Sequence, residues 1–310
     1  MPASSLGRLL ARFGGEVDDP DEETFLLFAH ERPSAQNLGF VDAHAAVLDL
    51  AVAGRDLTIH QSPAVLTSNR SGGTTGAVLW KITPAVAEWL ARADNVLFGD
   101  GLLSSDSSVI ELGCGISGVI GLALTGKGAK AAVPKKKTGK RRTTSAVSGP
   151  SFTNTVGQYV LTDQPYVVKF LQRNLDENGA AGADDRVSFC ALDWETDAVT
   201  PGARLGASSF DAVLACDCIY NEALVAPLVQ TCADVCRLRE AESEDSDTTK
   251  TPTLCIVAQQ LREPDVLTSW LTAFAASFRI WQVPEDLLIP ELQPSAGFVV
   301  HVGILKEARI

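Results

Sequence analysis

The stretch VIELGCGISGVIG, from Val109 to Gly121, decides the fold. Its apolar first half predicts a buried β-strand, and its glycines predict a tight turn that leads into a helix. The turn has the spacing Gly113-x-Gly115-x-x-Gly118, at which backbone N–H groups can approach a bound nucleotide closely. This spacing suits both a dinucleotide and S-adenosylmethionine, so the choice between them depends on the rest of the chain.

After Val109, short apolar runs alternate with helical runs, which predicts a mostly parallel, doubly wound α/β sheet. The further predicted strands are QYVLTD (158–163), RVSFCALD (186–193), FDAVLACD (210–217), TLCIVAQQ (253–260), FRIWQV (278–283) and GFVVHVGILK (297–306). A loop joins the last two, so we expect them to be antiparallel neighbours. Seven strands with an antiparallel last strand are typical of the Rossmann-like fold of class I S-adenosylmethionine-dependent methyltransferases.

The chain is long enough for this core and one extension. Residues 1–95 predict an N-terminal extension, in which a hairpin and an amphipathic helix pack on a methyltransferase core of residues 96–310. Within the core, residues 126–157 predict a mobile insertion and residues 240–250 an acidic loop. The insertion carries the basic run PKKKTGKRR (134–142), which is typical of a nuclear-import signal, of an arm that faces a substrate, or of a solvated loop.

Composition limits the classes of function. A net charge of −12 over 310 residues argues against nucleic-acid binding through a basic surface, and it is compatible with a basic protein partner. The seven cysteines predict reduced, buried thiols, and their spacing and the four scattered histidines predict no metal site. No run is long and apolar enough to cross a membrane, and the first residues lack a full signal-peptide core. We therefore expect a soluble cytoplasmic monomer, with the nucleus as a second location if the basic run directs import.

Three acidic residues lie near the ends of predicted strands and are candidates for cofactor binding. Glu111 precedes the glycine turn, where a carboxylate would attract the amino group of a methionine moiety and repel a pyrophosphate. Asp163 can accept hydrogen bonds from both ribose hydroxyls of either cofactor. Asp193 can pair with the adenine amino group, while Trp194 covers the adenine ring. Each acid could also be an ordinary strand-end cap, but the carboxyl ends of adjacent parallel strands meet in one crevice.

Asp217 and Tyr220 follow the fourth predicted strand and are the candidate catalytic residues. Methyl transfer from a sulfonium to an amine requires a neutral amine held in line, and only about a thousandth of a lysine side chain is neutral at pH 7. Asp217 would hold the arriving ammonium, an apolar slot would disfavour its charged form, and Tyr220 would orient the amine. A helix-capping Asp and a half-buried Tyr are the structural alternative.

Five segments together resemble the seven-β-strand protein lysine methyltransferases of family 16, and the last contains the Asp-x-x-Tyr signature of that family. They are TTGAVLW (74–80), VIELGCGISG (109–118), LTDQ (161–164), LDW (192–194) and CDCIY (216–220). By this resemblance Trp80, Gly113, Asp163 and Trp194 would contact the cofactor, and Asp217 and Tyr220 would flank a target lysine. The complete predicted cofactor-binding set is Trp80, Glu111, Gly113, Gly115, Asp163, Asp193, Trp194 and Cys216.

The resemblance implies a protein-lysine N-methyltransferase that uses S-adenosylmethionine. Within the family, NLGFVDA (37–43) and CDCIYNEALVAPLV (216–229) are similar to fungal members that monomethylate a large-subunit ribosomal protein. The alternatives are the same chemistry on another protein lysine, such as that of an elongation factor or chaperone, and a non-catalytic cofactor-binding scaffold for ribosome assembly. A nicotinamide-dependent dehydrogenase is opposed by Glu111, by Asp217-x-x-Tyr220 and by the closing pair of strands.

Overall fold

The computed structural model describes residues 4–29, 39–70, 73–126, 150–180, 186–202, 205–244 and 250–307, so the basic run 134–142 lies outside the described residues. The part that precedes the sheet contains helices α1 (Ser5–Phe13), α2 (Pro20–Ala29), α3 (Pro63–Leu66), α4 (Ile82–Ala91) and α5 (Val96–Gly99). It also contains an antiparallel hairpin of β1 (Val47–Val52) and β2 (Arg55–His60). The predicted hairpin and amphipathic helix correspond to β1–β2 and α4.

Helix α1 was not expected from the sequence, although its pattern is visible there. Leu6, Leu9 and Phe13 are spaced for one helical face, and all three are buried. The Ser4 hydroxyl accepts a hydrogen bond from the Gly7 backbone N–H at 3.0 Å, which caps the first turn. Residues 5–13 thus form a short amphipathic helix packed on the core.

The rest of the chain alternates strands with helices, as predicted. In chain order these elements are β3 (Ser108–Leu112), α6 (Val119–Thr125), β4 (Gln158–Asp163), α7 (Val168–Glu177), β5 (Val187–Ala191), β6 (Ala212–Cys216), α8 (Val225–Glu244), β7 (Leu254–Gln260), α9 (Pro264–Ser277), β8 (Phe278–Gln282) and β9 (Phe298–Leu305). The strands form one sheet with the spatial order β5-β4-β3-β6-β7-β9-β8. β9 runs antiparallel to both of its neighbours, and the other neighbouring pairs are parallel. The predicted fold class is confirmed by this topology.

The sheet is covered on both faces, so its central strands are apolar throughout. All five residues of β6 are buried, and four of the five residues of β3 are buried. The apolar core on one face includes residues of α1, α4 and α6, and the core on the other face includes residues of α8 and α9. Each fully buried aliphatic side chain of these cores contributes about 1.5–3 kcal/mol to stability.

Helix α2 lies against α9 and is attached to the sheet by polar contacts. His301 on β9 is fully buried, and its Nε2 lies 2.8 Å from a carboxylate oxygen of Glu23. The Thr268 hydroxyl donates a hydrogen bond to the Thr24 hydroxyl oxygen at 2.9 Å. The extension is therefore joined to the methyltransferase-type core by specific side-chain contacts.

Two segments differ from the expected boundaries. Residues 150–157 fall within the predicted insertion, but they pack on the core, and Val156 is fully buried. Helix α8 continues to Glu244, into the predicted acidic loop, and Lys250 forms a salt bridge of 2.8 Å with Glu242. Acidic residues are tolerated there because a helix exposes part of its surface to water, so the charge pattern alone did not exclude a helix.

Candidate active site

The direction of chain progression across the sheet reverses at β3, since β4 lies on one side of it and β6 on the other. Ligands of open α/β sheets bind at such a switch point, beyond the carboxyl ends of the strands. A cavity of about 460 Å³ lies there, which is within the usual range for small-molecule sites. It is lined by every residue of the predicted site: Trp80, Glu111, Gly113, Gly115, Asp163, Asp193, Trp194, Cys216, Asp217 and Tyr220.

The glycine turn forms one wall of the cavity, and two of its positions require glycine. Gly113 and Gly115 have φ values of 69° and 61°, which side chains rarely tolerate. A Cβ on Gly113 would lie 2.8 Å from the Cys218 sulfur and 3.1 Å from the Trp194 ring. A Cβ on Gly115 would lie 3.1 Å from the Gly76 carbonyl oxygen. The turn therefore presents bare backbone to the space where a nucleotide-type ligand would lie.

Glu111 is 2% exposed, yet it lines the cavity. The Tyr159 hydroxyl donates a hydrogen bond to its carboxylate at 2.7 Å. Burial raises the pKa of Glu111 to about 7, because the hydrogen bond from a neutral tyrosine only partly offsets the loss of hydration. A cation placed in the cavity would therefore be attracted to this carboxylate and would favour its ionised form.

Asp163 ends β4 and holds the glycine turn in place. One carboxylate oxygen accepts a hydrogen bond from the Gly115 backbone N–H at 2.8 Å, and the other accepts one from the Gln164 backbone N–H at 2.7 Å. Burial raises the pKa of Asp163 to about 6 despite these two hydrogen bonds. Each oxygen retains a lone pair, so the carboxylate can still accept hydrogen bonds from a ligand's hydroxyl groups.

Asp193 and Trp194 follow β5 and line the cavity on the side of the sheet that β5 and β4 form. Asp193 Oδ1 accepts a hydrogen bond from the Glu195 backbone N–H at 3.0 Å, so this residue also stabilises the turn after the strand. The Trp194 indole N–H is buried and has no hydrogen-bond partner among the described residues. A buried donor without a partner is unusual in a folded protein and suits a site that a ligand completes.

Trp80 and Cys216, both predicted to bind the cofactor, also line the cavity. The Trp80 indole N–H donates to the Thr75 carbonyl oxygen at 3.1 Å, and the Phe40 ring packs against it with centroids 4.4 Å apart. The Cys216 side chain is buried, with its sulfur 3.9 Å from the Thr83 hydroxyl. Burial raises the pKa of the Cys216 thiol, so this side chain acts as an apolar wall and not as a thiolate.

Asp217 is buried and is bound by an arginine that the sequence reasoning missed. Arg262 Nη1 donates to Oδ1 at 2.7 Å and Arg262 Nη2 donates to Oδ2 at 2.6 Å, a bidentate pair. The Gln259 side-chain amide also donates to Oδ1, at 3.1 Å. The expected ammonium-binding carboxylate is thus already neutralised by a cation from the same chain.

Tyr220 lies at the mouth of the cavity and is 40% exposed. The Thr75 hydroxyl donates a hydrogen bond to the Tyr220 hydroxyl oxygen at 3.1 Å. Partial burial raises the pKa of Tyr220, so its hydroxyl stays protonated at neutral pH. Thr75 lies within TTGAVLW, a segment that the sequence pattern singled out without giving this residue a role.

The comparisons with known proteins point to lysine methyltransferases. A family model described as "Lysine methyltransferase" matches residues 147–242, which include Asp163, Asp193 and Asp217. The ribosomal lysine N-methyltransferase 5 of Lachancea thermotolerans is 23% identical over 332 residues, which cover 84% of this chain and 88% of that protein. The protein of the same name from Eremothecium gossypii is 28% identical over 251 residues, which cover 67% and 77%.

A third relative has a different name. The diaminohydroxyphosphoribosylamino-pyrimidine deaminase of Schizosaccharomyces pombe is 28% identical over 270 residues, which cover 87% of this chain but 54% of that protein. This chain therefore spans about half the length of that relative. Zinc-dependent base deaminases have the signature H-x-E followed by P-C-x-x-C, which this sequence lacks. Within the described ranges, no group of three or more His, Cys, Asp or Glu could hold a metal ion.

Among solved structures, the methyltransferase domain of bacterial-CtHen1-CN is 17% identical, with 68% of this chain and 94% of that chain covered. Its TM-score of 0.39 is too low to add to the topology described above. The sheet and its switch-point cavity define the Rossmann-like class I methyltransferase fold. The family model and the curated relatives then confirm the resemblance to family-16 lysine methyltransferases, and they support a protein-lysine N-methyltransferase as the class of enzyme.

Proposed function

We propose that this chain uses S-adenosylmethionine to monomethylate a lysine of a large-subunit ribosomal protein. The observation that carries the proposal is the convergence of all the predicted residues, including Glu111, Asp217 and Tyr220, on one cavity. The names of the Lachancea thermotolerans and Eremothecium gossypii relatives support a ribosomal substrate. We place the activity in the cytoplasm and expect a monomer. No helix in the described part of the chain has the length and apolarity to span a membrane.

The lining residues fit the chemical groups of the cofactor. Glu111 would bind its amino group, because among the described residues that carboxylate has a hydrogen bond from neutral Tyr159 and an interaction with the acidic Asp163, with no cation to compensate it. Asp163 would accept hydrogen bonds from the ribose hydroxyls, and Asp193 and Trp194 would contact the adenine. The bare backbone at Gly113 leaves room for the ligand. The bound cofactor supplies an electrophilic methyl group on a sulfonium centre.

The acceptor end of the cavity would hold the target lysine with its amine aligned. Trp80 and Tyr220 provide aromatic walls, and the Cys216 thiol adds an uncharged surface. Removing an ammonium from water in such a slot favours its loss of a proton, which provides the neutral amine that methyl transfer requires. The open mouth beside Tyr220 allows the proton to leave to solvent.

Two other functions fit the site less well. A nicotinamide dinucleotide would place its pyrophosphate near the glycine turn, where ionised Glu111 would repel it. A non-catalytic scaffold would need neither the slot beside Asp217 nor a wall of aromatic side chains. The same chemistry on a lysine of an elongation factor or a chaperone stays an alternative that the test below separates.

The test uses cofactor labelled on its methyl group. The purified chain is incubated with salt-washed ribosomes and, separately, with soluble extract, both from a strain that lacks this protein. We expect one labelled large-subunit protein, no label with Asp217→Asn, and full label with the exposed control Asp176→Asn. Label confined to the soluble extract would overturn the ribosomal substrate and keep the enzyme class. No label in either fraction, with the cofactor still bound in calorimetry, would favour the scaffold.

A further inference from the structure

Arg262 lies in the loop after β7 and contacts two walls of the acceptor slot from behind. Its guanidinium donates to both oxygens of Asp217, at 2.6 and 2.7 Å, and it lies over the Trp80 ring, 4.9 Å from the centroid. Its Nη2 also donates to the Gln260 side-chain oxygen at 2.8 Å. Arg262 is not among the residues that line the cavity, so it braces the slot without occupying it.

The backbone of Asp217 shows that this arrangement is built into the fold. Asp217 has a φ of 60°, in the left-handed region, a conformation that costs a non-glycine residue about 1–2 kcal/mol. Its backbone N–H donates to the Ala258 carbonyl at 2.8 Å, and its Oδ1 accepts a third hydrogen bond from the Gln260 backbone N–H at 3.3 Å. Strained residues of this kind persist where the surrounding contacts fix them, which is common at functional sites.

The pairing changes the electrostatics of the slot. An unpaired carboxylate beside the target amine would stabilise its ammonium form, which cannot accept a methyl group. The Asp217–Arg262 pair carries no net charge, so its field at the amine is that of a dipole and not of an anion. Oδ2 has one hydrogen bond from Arg262 and retains a lone pair, with which it can still orient an N–H of the amine.

We propose that Arg262 is a positioning residue for the methyl transfer: it holds Asp217 and Trp80 in place, and it neutralises Asp217 so that the slot binds the target lysine as the uncharged amine. The inference rests on the proposed function. The lysine would release its proton to solvent on entering the slot. The apolar slot expected from the sequence and the compensated charge of Asp217 would thus both favour the uncharged amine.

Other titratable groups also face this region, and they bear on any pH profile. The same cavity is lined by the titratable side chains of Glu111, Cys114, Asp163, Tyr166, Asp193, Glu195, Cys216, Cys218 and Tyr220. Arg262 and Glu263 both line a smaller neighbouring cavity, which Tyr220 also borders. These groups are the same in the unaltered chain and in an Arg262 variant, so the difference between the two profiles isolates the effect of Arg262.

The experiment measures the transfer rate to the proteins of salt-washed large subunits at saturating cofactor, from pH 6.5 to 9.5. With Arg262→Gln, the negative charge of Asp217 loses the cation that compensates it, so it should raise the pKa of the bound amine by about one unit. We therefore expect the rise of rate with pH to move upward by about one unit, with a loss of about tenfold at pH 7 that shrinks at pH 9. The affinity for S-adenosylhomocysteine should stay within about threefold.

Two further variants make the result specific. Arg262→Lys keeps the charge but loses the bidentate geometry, so it should keep the original pH profile with a rate at least about tenfold lower at every pH. Arg279→Gln is the matched control, because Arg279 also pairs with a carboxylate, that of Glu16, and lies over a tryptophan, Trp281. It is not among the lining residues of the cavity, and we expect no change in rate or profile.

The outcomes separate the inference from the proposed function. No transfer by the unaltered chain would overturn the proposed function and the role of Arg262 with it. Transfer by the unaltered chain, together with a pH-independent loss in Arg262→Gln, would leave the methyltransferase and overturn only the charge-neutralising role. If Arg262→Gln does not fold, judged by its melting curve, an undiminished rate in Arg262→Lys would overturn the positioning role.

Discussion

Glu111 lies on β3, and Asp217 directly follows the neighbouring parallel strand β6. Both residues are buried, at 2% and 7% exposure, but their charges are compensated in different ways. Asp217 has a bidentate arginine partner from its own chain. Glu111 has a hydrogen bond from a neutral tyrosine, and burial raises its pKa to about 7. Asp217 thus belongs to an internal ion pair, whereas Glu111 has no cationic partner among the described residues.

The largest expected effect concerns the Asp217–Arg262 ion pair. Asp217→Asn keeps the side-chain shape and tolerates the left-handed backbone, but it leaves Arg262 without its ionised partner. We expect methyl transfer to fall by at least about a hundredfold and the free energy of unfolding to fall by about 3–5 kcal/mol. Radiolabel transfer and chemical denaturation measure the two effects. Turnover equal to that of the unaltered chain would remove Asp217 from the catalytic assignment.

The next largest effect concerns Glu111. Glu111→Gln removes the charge but keeps the size, so affinity for S-adenosylhomocysteine should fall by roughly tenfold to a hundredfold. The melting temperature of the free chain should rise at pH 8, because the buried ionised carboxylate is gone. Calorimetry and a thermal scan give both values. A lower affinity with a lower melting temperature would instead indicate that Glu111 is a structural residue.

The pH dependence sharpens the same comparison. Folding raises the pKa of Glu111 from its ordinary 4.5 to about 7, so the folded chain binds this proton more tightly than the unfolded chain does. The stability that this proton provides is present below pH 4.5 and is lost as the pH rises toward 7. Ligand affinity should move the other way, increasing about tenfold from pH 6 to pH 8 as Glu111 ionises. Glu111→Gln should retain only the smaller dependence that Asp163 contributes.

A more moderate effect is expected at Asp163, whose carboxylate accepts hydrogen bonds from two backbone N–H groups. Asp163→Ala removes the hydrogen-bond acceptor for the ribose hydroxyls and releases the Gly115 N–H, so cofactor affinity should fall by about tenfold. Asp176→Ala, an exposed acid on α7, is the control and should leave affinity unchanged. Equal dissociation constants for the two variants, measured by calorimetry, would contradict the ribose contact.

The smallest effect is expected at Tyr220. Tyr220→Phe keeps the ring and loses the hydroxyl that accepts the hydrogen bond from Thr75. A neutral hydrogen bond at a partly exposed site is worth about 0.5–1.5 kcal/mol, so the transfer rate should fall about two- to tenfold. Tyr220→Ala, measured in the same assay, should cost more because the aromatic wall is lost. If both variants transfer at the same rate as the unaltered chain, Tyr220 is not part of the slot.

The sequence predicts the part of the site around Glu111 better than it predicts the Asp217–Arg262 pair. Glu111 stands two residues before Gly113 in one contiguous motif, and the alternation of strands and helices places the ends of β3, β4 and β6 together, so the cofactor end could be inferred. Arg262 is 45 residues away from Asp217 in the sequence and lies in a loop without a recognisable pattern. The Asp217–Arg262 pair can be recognised only once the structure places β6 beside β7. The hydrogen bond from Gln259 to Asp217 could not be predicted for the same reason.

The order of the last strands has a consequence for how the sheet is completed. β9 lies between β7 and β8, and in the described sheet β8 has β9 as its only neighbour. During synthesis, β8 leaves the ribosome before the strand that must separate it from β7, so it has no correct sheet partner until residues 298–305 arrive. β8 and β9 can pair only after residues 283–297 have been made, and an unpaired strand edge invites incorrect association. Loss of those eight residues would therefore remove two strands from the sheet and leave the edge of β7 exposed.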